Sequence, residues 1–131
     1  MPWIVAHIKR IMIVSGVLTV TMIYAAIAPS AALNSSFGES LTGPLAEIVV
    51  RNWGVLIALM GAMLIYGAFN PPVRTHALIV AGSSKIVFIS LVLSQGGRYL
   101  GKQVGISVAV DTVMVLLFAW YLLAARSRRT A

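Results

Sequence analysis

The 131-residue chain contains no cysteine. That absence excludes disulfides, thiol redox chemistry, thiolate nucleophiles and cysteine metal sites. Acidic residues are scarce: Glu39, Glu47 and Asp111 are the three, against ten Lys and Arg. Histidine is limited to His7 and His76, each without a carboxylate nearby in sequence. So few ionisable groups, spread this far apart, spell no metal-ligand set, catalytic triad or paired acid and base. Neither a metal, a cofactor nor an enzymatic activity is expected. Charge of any sign is low, at 10% of residues, where soluble domains carry about a quarter. The chain is filled instead by apolar residues, 60% of the total, with a mean hydropathy of +0.95. At 14.0 kDa it is too small to hide that much apolar surface from water, and it is too apolar to be disordered. An integral membrane chain remains. In that setting the net charge of +7 reads as topology rather than as a nucleic-acid partner, because basic residues gather at the cytoplasmic ends of spans.

A hydrocarbon core about 30 Å thick needs roughly 20 apolar residues in helix. Four apolar runs meet that length, at 11–28, 53–69, 77–93 and 104–125. With their flanks they predict spans at about 8–28, 46–69, 75–95 and 104–125, punctuated by Pro29, by Asn70-Pro71-Pro72 and by Gln95-Gly96-Gly97. Little is left over for anything but loops. The expectation is a single domain over 1–131: an all-α, antiparallel, transmembrane four-helix bundle. The first run has a basic flank and ends in Ala26-Ile27-Ala28, as a signal peptide would. Its apolar core exceeds the about 7–15 residues usual for one, so a retained span is expected. Lys9, Arg10, Arg74, Arg126, Arg128 and Arg129 fall on one side, and Arg98 and Lys102 on the other, joined by Arg51 if it lies near the surface. That bias puts both termini in the cytoplasm and argues against insertion in both orientations; a bacterial inner membrane suits such a chain. Trp3, Trp53, Tyr99, Trp120 and Tyr121 fall near span ends, where interfacial aromatics belong.

The longest connection, 29–43, is polar around Asn34-Ser35-Ser36 and reads as a loop. Pro44 suits the first turn of a helix, where its missing N–H costs nothing. A helix starting there makes Glu47 and Arg51 an i,i+4 pair on one face.

Charges at membrane depth are costly and are candidate functional groups. Lys85 lies roughly 15 Å below the outer end of the third span and Asp111 roughly 12 Å below that of the fourth, at 1.5 Å per residue. Level depth in consecutive antiparallel helices predicts a Lys85–Asp111 ion pair. Arg51, about 10 Å below Pro44, is positioned to join with Glu47 from the side. Two readings stay open: a pair that pins helix register, or a polar pocket in the outer half for a headgroup, an ion or protons. Ser83, Ser84, Ser107 and Thr112 either complete that pocket or bond back to their own helices. Small residues recur as Gly54-x3-Ala58-x3-Ala62, beside Gly61 and Gly67, and as Ala77-x3-Ala81-x3-Lys85. Such stripes serve close helix packing, within one bundle or between copies. The turn Gly96-Gly97-Arg98-Tyr99-Leu100-Gly101-Lys102 lacks the context of a phosphate loop.

The first span carries no carboxylate of the kind that small multidrug exporters place there, and the asparagine-centred motifs of fluoride channels are missing. In Ala28-Pro29, Phe37-Gly38, Val50-Arg51-Asn52-Trp53-Gly54, Gly61-Ala62 and Phe69-Asn70-Pro71-Pro72-Val73-Arg74 the chain resembles the DoxX-like group of small four-span bacterial membrane proteins. The resemblance implies a four-helix bundle, accessory roles in quinone-linked or redox complexes for some members, and importance for Arg51. No catalytic residue carries over. The expected function is non-enzymatic: an accessory or scaffold subunit of a membrane complex, or a binder of a lipid or quinone-like molecule within the bundle. Its partners would be membrane lipids and a membrane protein or a second copy. The alternative is a small transporter or channel with an outer-facing pocket formed by Lys85, Asp111 and Arg51.

Overall fold

A computed structural model describes residues 3–39 and 41–130, with side chains to Arg126; those of Arg128 and Arg129 in the basic tail lie outside the described residues. The elements are α1 (Trp3–Val20), a 3₁₀ turn (Thr21–Ile23), α2 (Tyr24–Ile27), α3 (Pro29–Phe37), α4 (Pro44–Phe69), α5 (Pro71–Leu93) and α6 (Gln103–Thr130). No strand occurs among the described residues. Four helical stretches are long and apolar enough to cross a membrane: Trp3–Ile27, Pro44–Phe69, Pro71–Leu93 and Gln103–Arg126. The protein is an all-helical membrane bundle. α1 packs on α4, α4 on α5, α5 on α6, and α6 returns to α1, closing an antiparallel ring. The start of α1 and the last turns of α6 lie at one end of the bundle, the basic end with Lys9, Arg10, Arg74 and Arg126; the opposite end is the outer one.

Proline sets three of the helix starts. Pro29, Pro44 and Pro71 open α3, α4 and α5, using the first-turn position where no backbone N–H is required. Two expectations change as a result. The connection 29–43 is not a loop: its first nine residues form α3, closed by Gly38 in the left-handed conformation (φ 73°), whose N–H donates to Asn34 O at 2.9 Å. The third span starts at Pro71 rather than near 75, which leaves Asn70 alone between α4 and α5. The first span likewise starts earlier, at Trp3 instead of about 8.

The tightest seam is between α1 and α4. A Cβ added to Gly61 would stand 2.6 Å from Gly16 O, and one on Gly16 would stand 2.7 Å from Gly61 O, so the two backbones touch. Gly54 meets Ala25 and Ala26 in the same way. The working stripe of α4 therefore runs Gly54–Gly61 at heptad spacing. Ala58 is only half-buried and Ala62 faces outward, which corrects the four-residue stripe read from the sequence. Ala77 and Ala81 are buried with Leu64, Ala68, Leu78, Met114 and Phe118, and with Ile8 and Met12 of α1, in a dry core at the basic half. Trp3 stacks near Trp120 at 6.0 Å between centroids, fastening α1 to α6 at that end.

A cavity around a buried ion pair

Lys85 Nζ donates to Asp111 Oδ1 at 2.9 Å and to Thr19 Oγ1 at 3.1 Å. Thr19 in turn donates to Ser15 O at 2.6 Å, one turn back in α1. Three helices thus converge on one ammonium group. Thr19, Lys85 and Asp111 each lie eight residues from the outer end of their membrane span, at Ile27, Leu93 and Gln103 respectively, a depth of about 12 Å at 1.5 Å per residue. Lys85 is 7% exposed and Thr19 6%; the Asp111 side chain retains 18%. An ammonium has three protons and a carboxylate two oxygens. One proton of Lys85 and Oδ2 of Asp111 have no partner among the described residues.

Both groups border a cavity of about 300 Å³. Its walls are mostly apolar, with Met22, Trp53, Ile57, Phe88, Val104 and Met114 among them, and Thr21, Ser36, Ser84, Gln103 and Ser107 add polar groups. Thr112 does not take part: it bonds back to Val108 O at 2.7 Å. Ser83 is not among the lining residues either. Toward the basic end the cavity stops at the dry core. Toward the outer end α3 forms a roof: Ala32 and Ser36 are buried, the Phe37 ring stands 6.4 Å from Trp53 and edge-on to Tyr99 at 5.3 Å, and Tyr24 Oη sits 3.1 Å from Ser35 Oγ and 3.4 Å from Ser36 Oγ.

Arg51 is not in this site. Its guanidinium donates to Ala26 O, one of the last carbonyls of a helix that ends at Ile27, left open because the break at Ala28 removes the next turn's N–H. Arg74 does the same for α4, donating to Gly67 O at 3.2 Å and Ala68 O at 2.7 Å. Both arginines cap helix C-termini, where positive charge is favoured. Glu47 lies exposed in the first turn of α4, and the ion pairs among the described residues are Lys85–Asp111 and Arg98–Glu39. Arg51 and Glu47 therefore leave the site expected of them, because Arg51 turns toward the first span. Thr19 joins it instead. The signal available for Thr19 was its depth, level with the two charges.

At the outer surface Arg98 holds both oxygens of Glu39, at 3.1 and 3.2 Å, tying the turn before α6 to the end of α3. A hydrogen bond to the Glu39 carboxylate raises the Tyr99 phenol above its ordinary value, an effect the neighbouring Arg98 charge partly opposes. Comparison of the chain with protein-family models, with curated proteins and with solved structures finds no match.

Proposed function

We propose that this protein is a non-enzymatic membrane protein of a bacterial inner membrane that binds a lipid or quinone-like molecule within the bundle. The observation carrying this reading is the cavity of about 300 Å³, mostly apolar in its walls and ending on a donor and an acceptor with unused bonding capacity. That combination is what binding sites for small organic molecules provide. A register pin alone needs no such space. The rival reading, a transporter or channel, would need a route through the basic half. There Ile8, Met12, Leu64, Leu78 and Phe118 are packed with at most 2% exposure, and Arg51 lies outside the cavity lining. The resemblance to the DoxX-like group, some members of which serve as accessory subunits, adds that role as a proposal, and a bound amphiphile is compatible with it.

The test is extraction of the purified protein and identification of retained amphiphiles by mass spectrometry, beside the Lys85→Met/Asp111→Leu variant. A molecule enriched near one per chain in the native protein and lost from the variant supports the reading. Equal, non-stoichiometric lipid in both would overturn it, and Lys85-dependent ion flux in liposomes would install the rival.

A further inference from the structure

The charge balance of the site and the direction in which it opens specify its ligand more narrowly. We infer that the cavity takes an uncharged amphiphile whose head carries a hydrogen-bond acceptor beside a donor, and that it enters sideways from the lipid between the first span and α6. The inference rests on the binding reading above and adds the class of ligand to it.

The head class follows from the pair. Lys85 and Asp111 neutralise each other at 2.9 Å, so the site has no net charge to offer a ligand. A charged head brought there would leave one uncompensated charge about 12 Å inside the bundle, in the setting where unpaired charge is most unfavourable. A neutral head meets no such penalty. An acceptor on it receives a hydrogen bond from the remaining N–H of Lys85, and a donor beside it reaches Asp111 Oδ2. Nothing in this exchange breaks the existing ion pair.

The route follows from what is closed. The dry core seals the basic end, and α3 with Phe37 covers the outer end. Among the lining residues, Leu18 of α1 is 49% exposed and Ile106 and Val110 of α6 are 68% and 39% exposed. These residues stand on the two helices that meet at Trp3 and Trp120 near the basic end. Thr21 just after α1 and Gln103 and Ser107 of α6 are exposed lining residues as well, so the accessible edge of the cavity lies between the first span and α6 and faces the acyl chains. A chain lying in that opening leaves the bundle directly into lipid.

The experiment uses three probes with one tail: monooleoylglycerol, oleyl sulfate and oleyltrimethylammonium, the last two charged at every pH. Retention by the full-length protein in phosphatidylcholine nanodiscs is read by native mass spectrometry. Monooleoylglycerol should be retained at about tenfold lower concentration than either charged probe, a difference of one decade in affinity. Asp111→Asn leaves Lys85 unpaired and should transfer the preference to oleyl sulfate. Where that variant fails to fold, Lys85→Met/Asp111→Leu, which leaves no lone charge, should hold all three more weakly than the native protein holds monooleoylglycerol, and within about threefold of one another. A charged probe bound as tightly as monooleoylglycerol by the native protein overturns the ligand class while leaving a binding site standing. Retention of all three that ignores every substitution at Lys85 and Asp111 overturns both the class and the binding reading.

Discussion

Removing one member of the Lys85–Asp111 pair strands the other, and the size of the loss can be worked from the geometry. At an effective dielectric of about 20, two unit charges about 4 Å apart attract by roughly 4 kcal/mol. Desolvation opposes that gain, so the pair as a whole adds little net stability, whereas a stranded partner typically costs about 3–5 kcal/mol. The side chains here are 9% and 18% exposed, and the accessible edge of Asp111 lets its environment relax, so the lower figure of about 3 kcal/mol applies to Lys85→Met and to Asp111→Leu. The double variant removes both charges and should sit within about 1 kcal/mol of the native protein. The coupling in this double-mutant cycle is then of order 5–7 kcal/mol, far above the average of about 0.6 kcal/mol for polar pairs between membrane helices. Stability is measured by steric trapping in bicelles or by titration with a denaturing detergent. A coupling at or below about 0.6 kcal/mol would refute the argument, because it would mean that each charge finds water or lipid headgroups when its partner is gone.

Arg51→Met should lower stability by about 1–2 kcal/mol through the opened Ala26 carbonyl, measured by the same unfolding assay, and should leave monooleoylglycerol retention unchanged. Gly61→Val forces branched atoms against Gly16 O and should cost at least about 3 kcal/mol, beyond ordinary overpacking; reduced yield of folded protein and a lower unfolding midpoint would register it. Glu39→Ala removes the main cause of the raised Tyr99 phenol value, the hydrogen bond to the Glu39 side chain. Absorbance titration should show one tyrosine ionising at lower pH than in the native protein, and an unshifted curve would contradict the Glu39–Tyr99 bond. With no native cysteine, Leu18→Cys/Ile106→Cys joined by a short bismaleimide should slow monooleoylglycerol uptake, whereas unchanged uptake would exclude the opening between α1 and α6.

The membrane class and the four spans were legible because composition and run length depend on nothing beyond the chain itself. Lys85 and Asp111 were legible for a related reason: a charge inside an apolar run is conspicuous, and depth along a helix is a matter of counting. What counting does not reveal is the direction in which a helix face points. Arg51 has a suitable depth, yet the rotation of α4 turns it to the break at Ala28, so depth alone assigned it to the wrong neighbours. Thr19 is the converse, a hydroxyl at the right level whose face was unknown until α1 was docked. In α4 the spacing of four through Ala58 and Ala62 competed with the spacing of seven between Gly54 and Gly61. Two helices in long, nearly aligned contact favour the second. Pro29 marked the end of a span correctly, but its place at the start of α3 depended on a roof for the cavity, which local sequence does not display.

The two charges belong to consecutive helices, α5 and α6, joined by a short turn, and this bears on how the chain enters the bilayer. A lone Lys or Asp near the centre of an inserting helix costs about 2.5–3.5 kcal/mol. Inserted as a hairpin, the two helices carry their own counter-ion with them and present the lipid with a neutral unit. Thr19 lies on the other hairpin, so it reaches Lys85 only after the two halves have docked. The charge balance of α5 and α6 is thus complete within their own hairpin, and the ammonium's second partner, Thr19, belongs only to the completed assembly.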